Sequence, residues 1–237
     1  MTKINEIIEL LEEEFPGPEP KPSKASPLDI LIATMLSQNT TDKTSYRAFL
    51  NLKTDFKDWD DVMTAPLGKI KNAIRVCGLT NQKSISIKKM LKEMKKKYGK
   101  LDLGFLKKLS DEKVYEELLQ YNGVGVKTIS CVLAFSLGRD VFPVDTHVHR
   151  LTNRLGIANA VTPVKTFEQV KDKIPKGKKF LLHTMLIKFG RKICRSANPL
   201  CGKCRLYDLC SFKEKEFYAM KPQAEPKENN FIILEHV

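Results

Sequence analysis

The sequence predicts an all-α protein. Apolar residues recur at i, i+3, i+4 and i+7 through most of the chain, alternating strand patterns are nearly absent, and Gly, Pro and short polar caps punctuate the periodic stretches. Ile4, Ile7, Ile8 and Leu11 mark a first, acidic amphipathic helix. Pro16-Gly17-Pro18 ends it, since proline cannot continue the hydrogen-bond ladder, and a Pro-rich link runs to Pro27. Leu28, Leu31, Ile32, Met35 and Leu36 give the buried face of a second helix, and further helices follow near 42–51, 66–76 and 82–97. Ser110 is an N-cap with Asp111 and Glu112 in the first turn, where negative charge meets the positive end of the helix dipole. That helix runs to about Gln120. Val126, Ile129, Leu133 and Leu137 form the next stripe, closed by Gly138. Asp145 opens a helix that Gly156 ends, and Leu182, Met185, Leu186, Phe189 and Ile193 form a last long stripe. Phe231-Ile232-Ile233-Leu234 reads as a docked strand or helix end without an assigned role.

The chain has 237 residues, enough for one large domain or two modest ones, and a formal net charge of +13. Residues 1–20 hold one Lys and six Glu, so the remainder carries +18. Such an excess suits a polyanion, most simply nucleic acid, although a solvated Lys-rich surface fits the charge as well. The run from Lys88-Lys89 to Lys95-Lys96-Lys97 reads first as a solvated helix face and second as a DNA contact. No stretch has the length of a membrane span and the N-terminus lacks a secretory pattern, so a cytoplasmic protein is expected, nucleoid-associated in a prokaryote. Cys77 and Cys131 lie in apolar surroundings and read as buried free thiols.

The other four cysteines, Cys194, Cys201, Cys204 and Cys210, follow the pattern C-x6-C-x2-C-x5-C. Four thiolates so close together can ligate one four-iron cluster, one cysteine per iron. Structural zinc sites usually show two C-x2-4-C pairs, and here only Cys201 and Cys204 form one. The spacing favours a cluster; zinc and unrelated thiols stay open.

Between two helices lies Tyr121-Asn122-Gly123-Val124-Gly125-Val126-Lys127. Two glycines two apart permit a tight turn and close backbone approach, and a helix starting at once behind them presents free amides to an anion. A DNA phosphate can be held there without base reading. Lys127 falls in the first turn, where the dipole disfavours an ammonium; it reads either as a nucleophilic amine or as one more phosphate-binding cation. Val141-Phe142-Pro143-Val144-Asp145-Thr146-His147 is an apolar approach to an N-cap aspartate. Plain capping explains Asp145, and so does a charged carboxylate that stabilises a cation or accepts a proton.

These three features, in this order, resemble the endonuclease III branch of the helix–hairpin–helix DNA glycosylases over about residues 25–212. The cysteine spacing is the same as that family's cluster loop. The resemblance implies two helical domains with a DNA-binding cleft between them: a six-helix domain over 26–139, and a second formed by 1–25 with 140–237 that carries the [4Fe-4S] loop. It implies a monomeric enzyme on double-stranded DNA that holds a damaged base or an abasic site. Lys127 matches the nucleophile that attacks sugar C1′ and goes on to β-elimination, and Asp145 matches the essential carboxylate. Gly123, Gly125 and Val126 match the phosphate anchor, and Cys194, Cys201, Cys204 and Cys210 match the cluster ligands. Leu36-Ser37-Gln38-Asn39-Thr40-Thr41-Asp42 resembles the segment that fills the gap left by the flipped base, with Gln38 or Asn39 as the wedge.

Some positions depart from the pattern. Asn122 stands where a proline is usual. Ala197-Asn198-Pro199-Leu200 replaces a basic run, leaving Arg195 as the candidate phosphate contact of that loop. Adenine glycosylases of the superfamily generally lack a lysine at position 127 and carry Glu in place of Thr34, and thymine-mismatch relatives typically have Tyr at position 127. The substrate expected is an oxidised pyrimidine. The alternatives are a mismatch- or uracil-directed glycosylase, or a non-catalytic helix–hairpin–helix DNA-binding protein.

Overall fold

The computed structural model describes residues 2–16, 21–226 and 232–237. Gly17-Pro18 and Phe231, read above as a helix stop and part of an apolar tail, lie outside the described residues. Among the described residues the regular structure is entirely helical. In chain order it comprises α1 (Lys3–Glu14), α2 (Pro27–Ser37), α3 (Asp42–Asp55), α4 (Trp59–Thr64), α5 (Leu67–Ala73), α6 (Thr80–Tyr98), α7 (Asp111–Leu119), α8 (Val126–Cys131), α9 (Thr146–Arg154), α10 (Pro163–Val170), α11 (Lys179–Lys192) and α12 (Lys215–Met220). The chain divides into two compact units, Lys21–Arg139 with Phe231–Val237, and Met1–Pro20 with Asp140–Asn230.

The first unit is built around α2. Every residue from Ile30 to Leu36 is buried, so the helix is a core rod rather than the one-sided helix its stripe suggests. Helices α3, α6 and α8 pack around it. Ser26 caps it by accepting from the Asp29 amide at 3.1 Å, and Pro27 occupies the first turn, where its missing N–H costs nothing. Helix α4 was not foreseen: six residues are too few to show a period. Its signal was the cap Asp58, which accepts from the Asp61 amide at 2.8 Å. It brings the helices of this stretch to seven, α2 to α8, where six were expected. α8 continues directly into a π-helical turn, Val132–Ser136, and Gly138 stops it at φ +64°. The lysine run on α6 largely serves the fold: Lys95 pairs with Asp60 at 2.8 Å, Lys97 with Glu117 at 2.6 Å, and Lys88 donates to the Ala65 carbonyl behind α4.

The C-terminal tail belongs to this unit, whereas the sequence assigned it to the other. Ile232, Ile233 and Leu234 are buried against α2 and α3, the Ile233 amide donates to Asp42 Oδ2 at 3.1 Å, and Ser23 Oγ donates to the Val237 carbonyl at 2.8 Å. An apolar triplet this short seeks the nearest exposed apolar helix surface, whatever its sequence distance.

In the second unit α1 packs on α11, and α9 lies between α10 and α11. Glu12 meets Lys178 at 3.0 Å, Glu14 meets Lys192 at 3.1 Å, and Arg205 bridges Glu13 and Glu14, both at 3.1 Å. Such pairs contribute about 0–1 kcal/mol each. Burial of Ile4, Ile7, Ile8 and Leu11, at about 1.5–3 kcal/mol per side chain, dominates the docking of α1. α10 was also missed, although Thr162 followed by Pro163 spells its cap and first residue.

Candidate active site

The hairpin is closed by the Val124 amide donating to the Tyr121 carbonyl at 3.1 Å. Gly123 sits at φ +85°, and a Cβ there would lie 3.3 Å from Met35 Cε, so conformation and space both select glycine. Gly125 is different. Its φ of −110° suits any residue, and a Cβ would project into open space. What Gly125 supplies is an uncapped start to α8, with room for a group to approach the first-turn amides. Ser130 Oγ donates to the Val126 carbonyl at 2.9 Å and touches Tyr115 Oη at 2.7 Å, which braces that turn against α7. Burial pushes the Tyr115 hydroxyl up to about 12, so it stays neutral. On the other side Tyr121 Oη donates to Tyr98 Oη at 3.2 Å, and Tyr98 donates to Glu117 at 2.7 Å. Lys127 is half-buried in this braced turn.

The wedge candidates separate. Gln38 Nε2 donates to the Gly123 carbonyl at 3.0 Å, so this side chain ties the α2–α3 turn to the hairpin. Asn39 is exposed in the left-handed region at φ +54°. A residue the sequence reading missed stands in the turn before α6. Leu79 has φ +50° and is 53% exposed. Left-handed geometry is costly for leucine and is kept where the surroundings impose it, often for function. The readable signal was Gly78 before an apolar residue at a helix start, too common a pattern to single out.

In the other unit Asp145 caps α9, its Oδ1 accepting from the Val148 amide at 2.8 Å. Val141, Phe142, Pro143 and Val144 are buried ahead of it, and the buried ring of His183 meets the Pro143 carbonyl through Nδ1 at 2.8 Å. Asp145 itself is half-buried. Arg150, one turn on, donates twice to the Cys194 carbonyl, at 3.1 and 2.9 Å, and to the Gly190 carbonyl at 3.0 Å.

Cys194, Cys201, Cys204 and Cys210 line one recess of about 300 Å3, counted to its open mouth. Among the described residues no three His, Cys, Asp or Glu side chains meet as a single metal ion requires. A four-iron cluster makes a looser demand, because each thiolate binds a different iron. Burial, then the neighbouring thiols Cys194, Cys210 and Cys201, pushes the Cys204 thiol up to about 12; burial, then Cys194 and Cys210, raises Cys201. Four thiolates in this recess therefore need a compensating cationic centre. Part of the compensation is built in: Arg154 Nη1 reaches Cys194 Sγ at 3.3 Å with its guanidinium 4.2 Å above the Phe212 ring, and Lys215 donates to the Tyr207 and Cys210 carbonyls at 3.0 and 2.9 Å. The donor set fits an iron–sulfur cluster. Arg195, on the same loop, is half-buried, and its Nη2 has no hydrogen-bond partner among the described residues.

The model of the HhH-GPD superfamily of base excision DNA repair proteins matches residues 32–176. Endonuclease III of Thermotoga maritima is 33% identical over 209 residues, covering 88% of this chain and 92% of that protein. A candidate DNA glycosylase of Arabidopsis thaliana is 45% identical over 179 residues, 75% of this chain, and the chain spans 61% of that relative's length. The solved structure of a trapped endonuclease III–DNA covalent intermediate superposes with a TM-score of 0.78 at 27% identity, covering 92% of this chain and 99% of that one. The chain belongs to the HhH-GPD superfamily and, within it, to the endonuclease III-like DNA glycosylases. Among its described residues no helix is long and apolar enough to cross a membrane.

Proposed function

We propose that this chain excises oxidised pyrimidines from duplex DNA and then cleaves the strand as an abasic-site lyase. The observation that carries the reading is Lys127: a half-buried amine in the first turn behind the open approach at Gly125, on a hairpin braced from both sides. A helix start of this kind holds a phosphate, and Lys127 follows Gly125 by only two residues.

The damaged nucleotide is extruded from the stack, and Asn39 and Leu79 take its place: the amide meets the orphaned base and the leucine packs on the neighbouring step. Asn39 is preferred to Gln38 because Gln38 is committed to the Gly123 carbonyl. The Lys127 amine attacks C1′, the bond from C1′ to the base breaks, and the base leaves with the electron pair and a proton. The bond from C1′ to the ring oxygen then breaks, the oxygen taking up a proton and the nitrogen lone pair forming the double bond, which gives a protonated Schiff base. Removal of a proton from C2′ then expels the 3′ phosphate and cuts the strand. The Asp145 carboxylate stabilises the cationic sugar and accepts protons on the way.

Cys194, Cys201, Cys204 and Cys210 would hold a [4Fe-4S] cluster. When bound it supplies structural cross-linking of the loop rather than a bond-making step. Protein purified without oxygen should be brown and carry about four irons per chain. Stoichiometric zinc in that preparation refutes the assignment.

The deciding assay is a set of duplexes carrying thymine glycol, dihydrouracil, uracil or a mismatched thymine, with base release and nicking scored separately. Release of the two oxidised pyrimidines accompanied by nicking is expected. Release without nicking, or release confined to uracil and mismatched thymine, overturns the reading.

A further inference from the structure

Lys83 is 6% exposed, and the chemistry above makes no use of it. Its Nζ donates to the Leu36 carbonyl at 2.7 Å and to the Cys77 carbonyl at 3.1 Å. Its partners are thus main-chain oxygens, with the Cys77 thiol nearby, rather than a carboxylate. Burying an ammonium this way is expensive, and an apolar side chain of similar length would fill the same volume at less cost. The two carbonyls explain the cation. Leu36 O lies at the end of α2, one residue before Ser37-Gln38-Asn39. Cys77 O closes the short 3-10 turn Arg75–Cys77, directly before Gly78 at φ +66° and Leu79 at φ +50°. One ammonium therefore fastens together the two turns that present Asn39 and Leu79, both in left-handed geometry. Gln38 extends the same frame to the hairpin through the Gly123 carbonyl.

Resting on the glycosylase reading above, we propose that Lys83 is a positioning residue for base displacement: its ammonium sets the spacing between the polar side chain of Asn39 and the apolar side chain of Leu79, so that both enter the duplex as one unit. A flexible pair would spend its insertion energy on ordering two turns separately, whereas a clamped pair is ordered in advance.

The test is single-turnover excision by Lys83→Met, which removes the ammonium and keeps the apolar stem. Two duplexes are compared, one with the lesion opposite a normal base and one with it opposite an abasic gap, where there is no orphaned base for Asn39 to meet. A loss of about tenfold on the first and at most about twofold on the second is expected. Equal loss on both makes Lys83 an ordinary folding residue and overturns the proposal, as does unchanged excision on both. Leu79→Ala added to Lys83→Met should cost less than Leu79→Ala alone, and full additivity contradicts the shared frame. A 2-aminopurine placed opposite the lesion reports base displacement without any bond breaking. It should brighten with the wild-type chain and brighten less with Lys83→Met, thermal melting showing both folded. Equal brightening overturns the clamp. A wild type that brightens the probe yet releases no base from any duplex refutes the glycosylase reading and leaves the clamp supported.

Discussion

Lys127→Arg should still bind duplex DNA and should lose borohydride trapping altogether. The substitution separates two roles that one lysine could play at the start of α8. A guanidinium keeps the positive charge beside a helix-bound phosphate, so affinity should change by less than about threefold. It offers no amine that can form a Schiff base. Excision coupled to nicking should fall by on the order of 10^4-fold, the scale on which removal of a covalent nucleophile is felt. Lys127→Ala should lose the trap as well and also some affinity. If Lys127→Arg still traps, the nucleophile is another amine. If neither variant changes excision, Lys127 is a phosphate contact only.

Asp145→Asn should fold as the parent does and lose about 10^2- to 10^4-fold in excision, the range for removal of an acid–base group. Asparagine caps helices as well as aspartate, so the bond from the Val148 amide survives and α9 keeps its start. Only the charge is lost. Asp145→Ala removes charge and cap together and should cost about 1 kcal/mol of stability besides. Equal activity of Asp145→Asn and the wild type would reduce Asp145 to the capping role that its sequence context also allowed.

The sequence exposed features that depend on local rules and hid those that depend on tertiary placement. Ser110, Gly138, Asp145 and Gly156 were readable as helix ends because capping and left-handed stops are local chemistry. The convergence of Cys194, Cys201, Cys204 and Cys210 on one recess was readable because their spacing is short. Helix α4 was not, since six residues show no period, and the docking of Ile232–Leu234 was not, since nothing nearby in sequence names its partner. The two hairpin glycines divide the work: Gly123 supplies the left-handed turn and Gly125 the open approach. Gln38 and Asn39 are equivalent amides in the sequence and differ only in the fold, where the Gly123 carbonyl takes Gln38. Lys83 was invisible among many lysines, because its burial and its two carbonyl partners exist only in the folded chain.

The acidic helix α1 has a consequence during synthesis. Its partners come very late: Lys178 follows Glu12 by 166 residues and Arg205 follows Glu13 by 192. At ribosomal speeds of about 5–20 residues per second, α1 waits on the order of ten to forty seconds for them. Through that interval Ile4, Ile7, Ile8 and Leu11 have no native surface to cover. Lys21–Arg139 emerges meanwhile and can collapse around α2. The six glutamates among the first twenty residues then acquire a second use, as charge that keeps a nascent apolar stripe from sticking to other chains until α11 arrives.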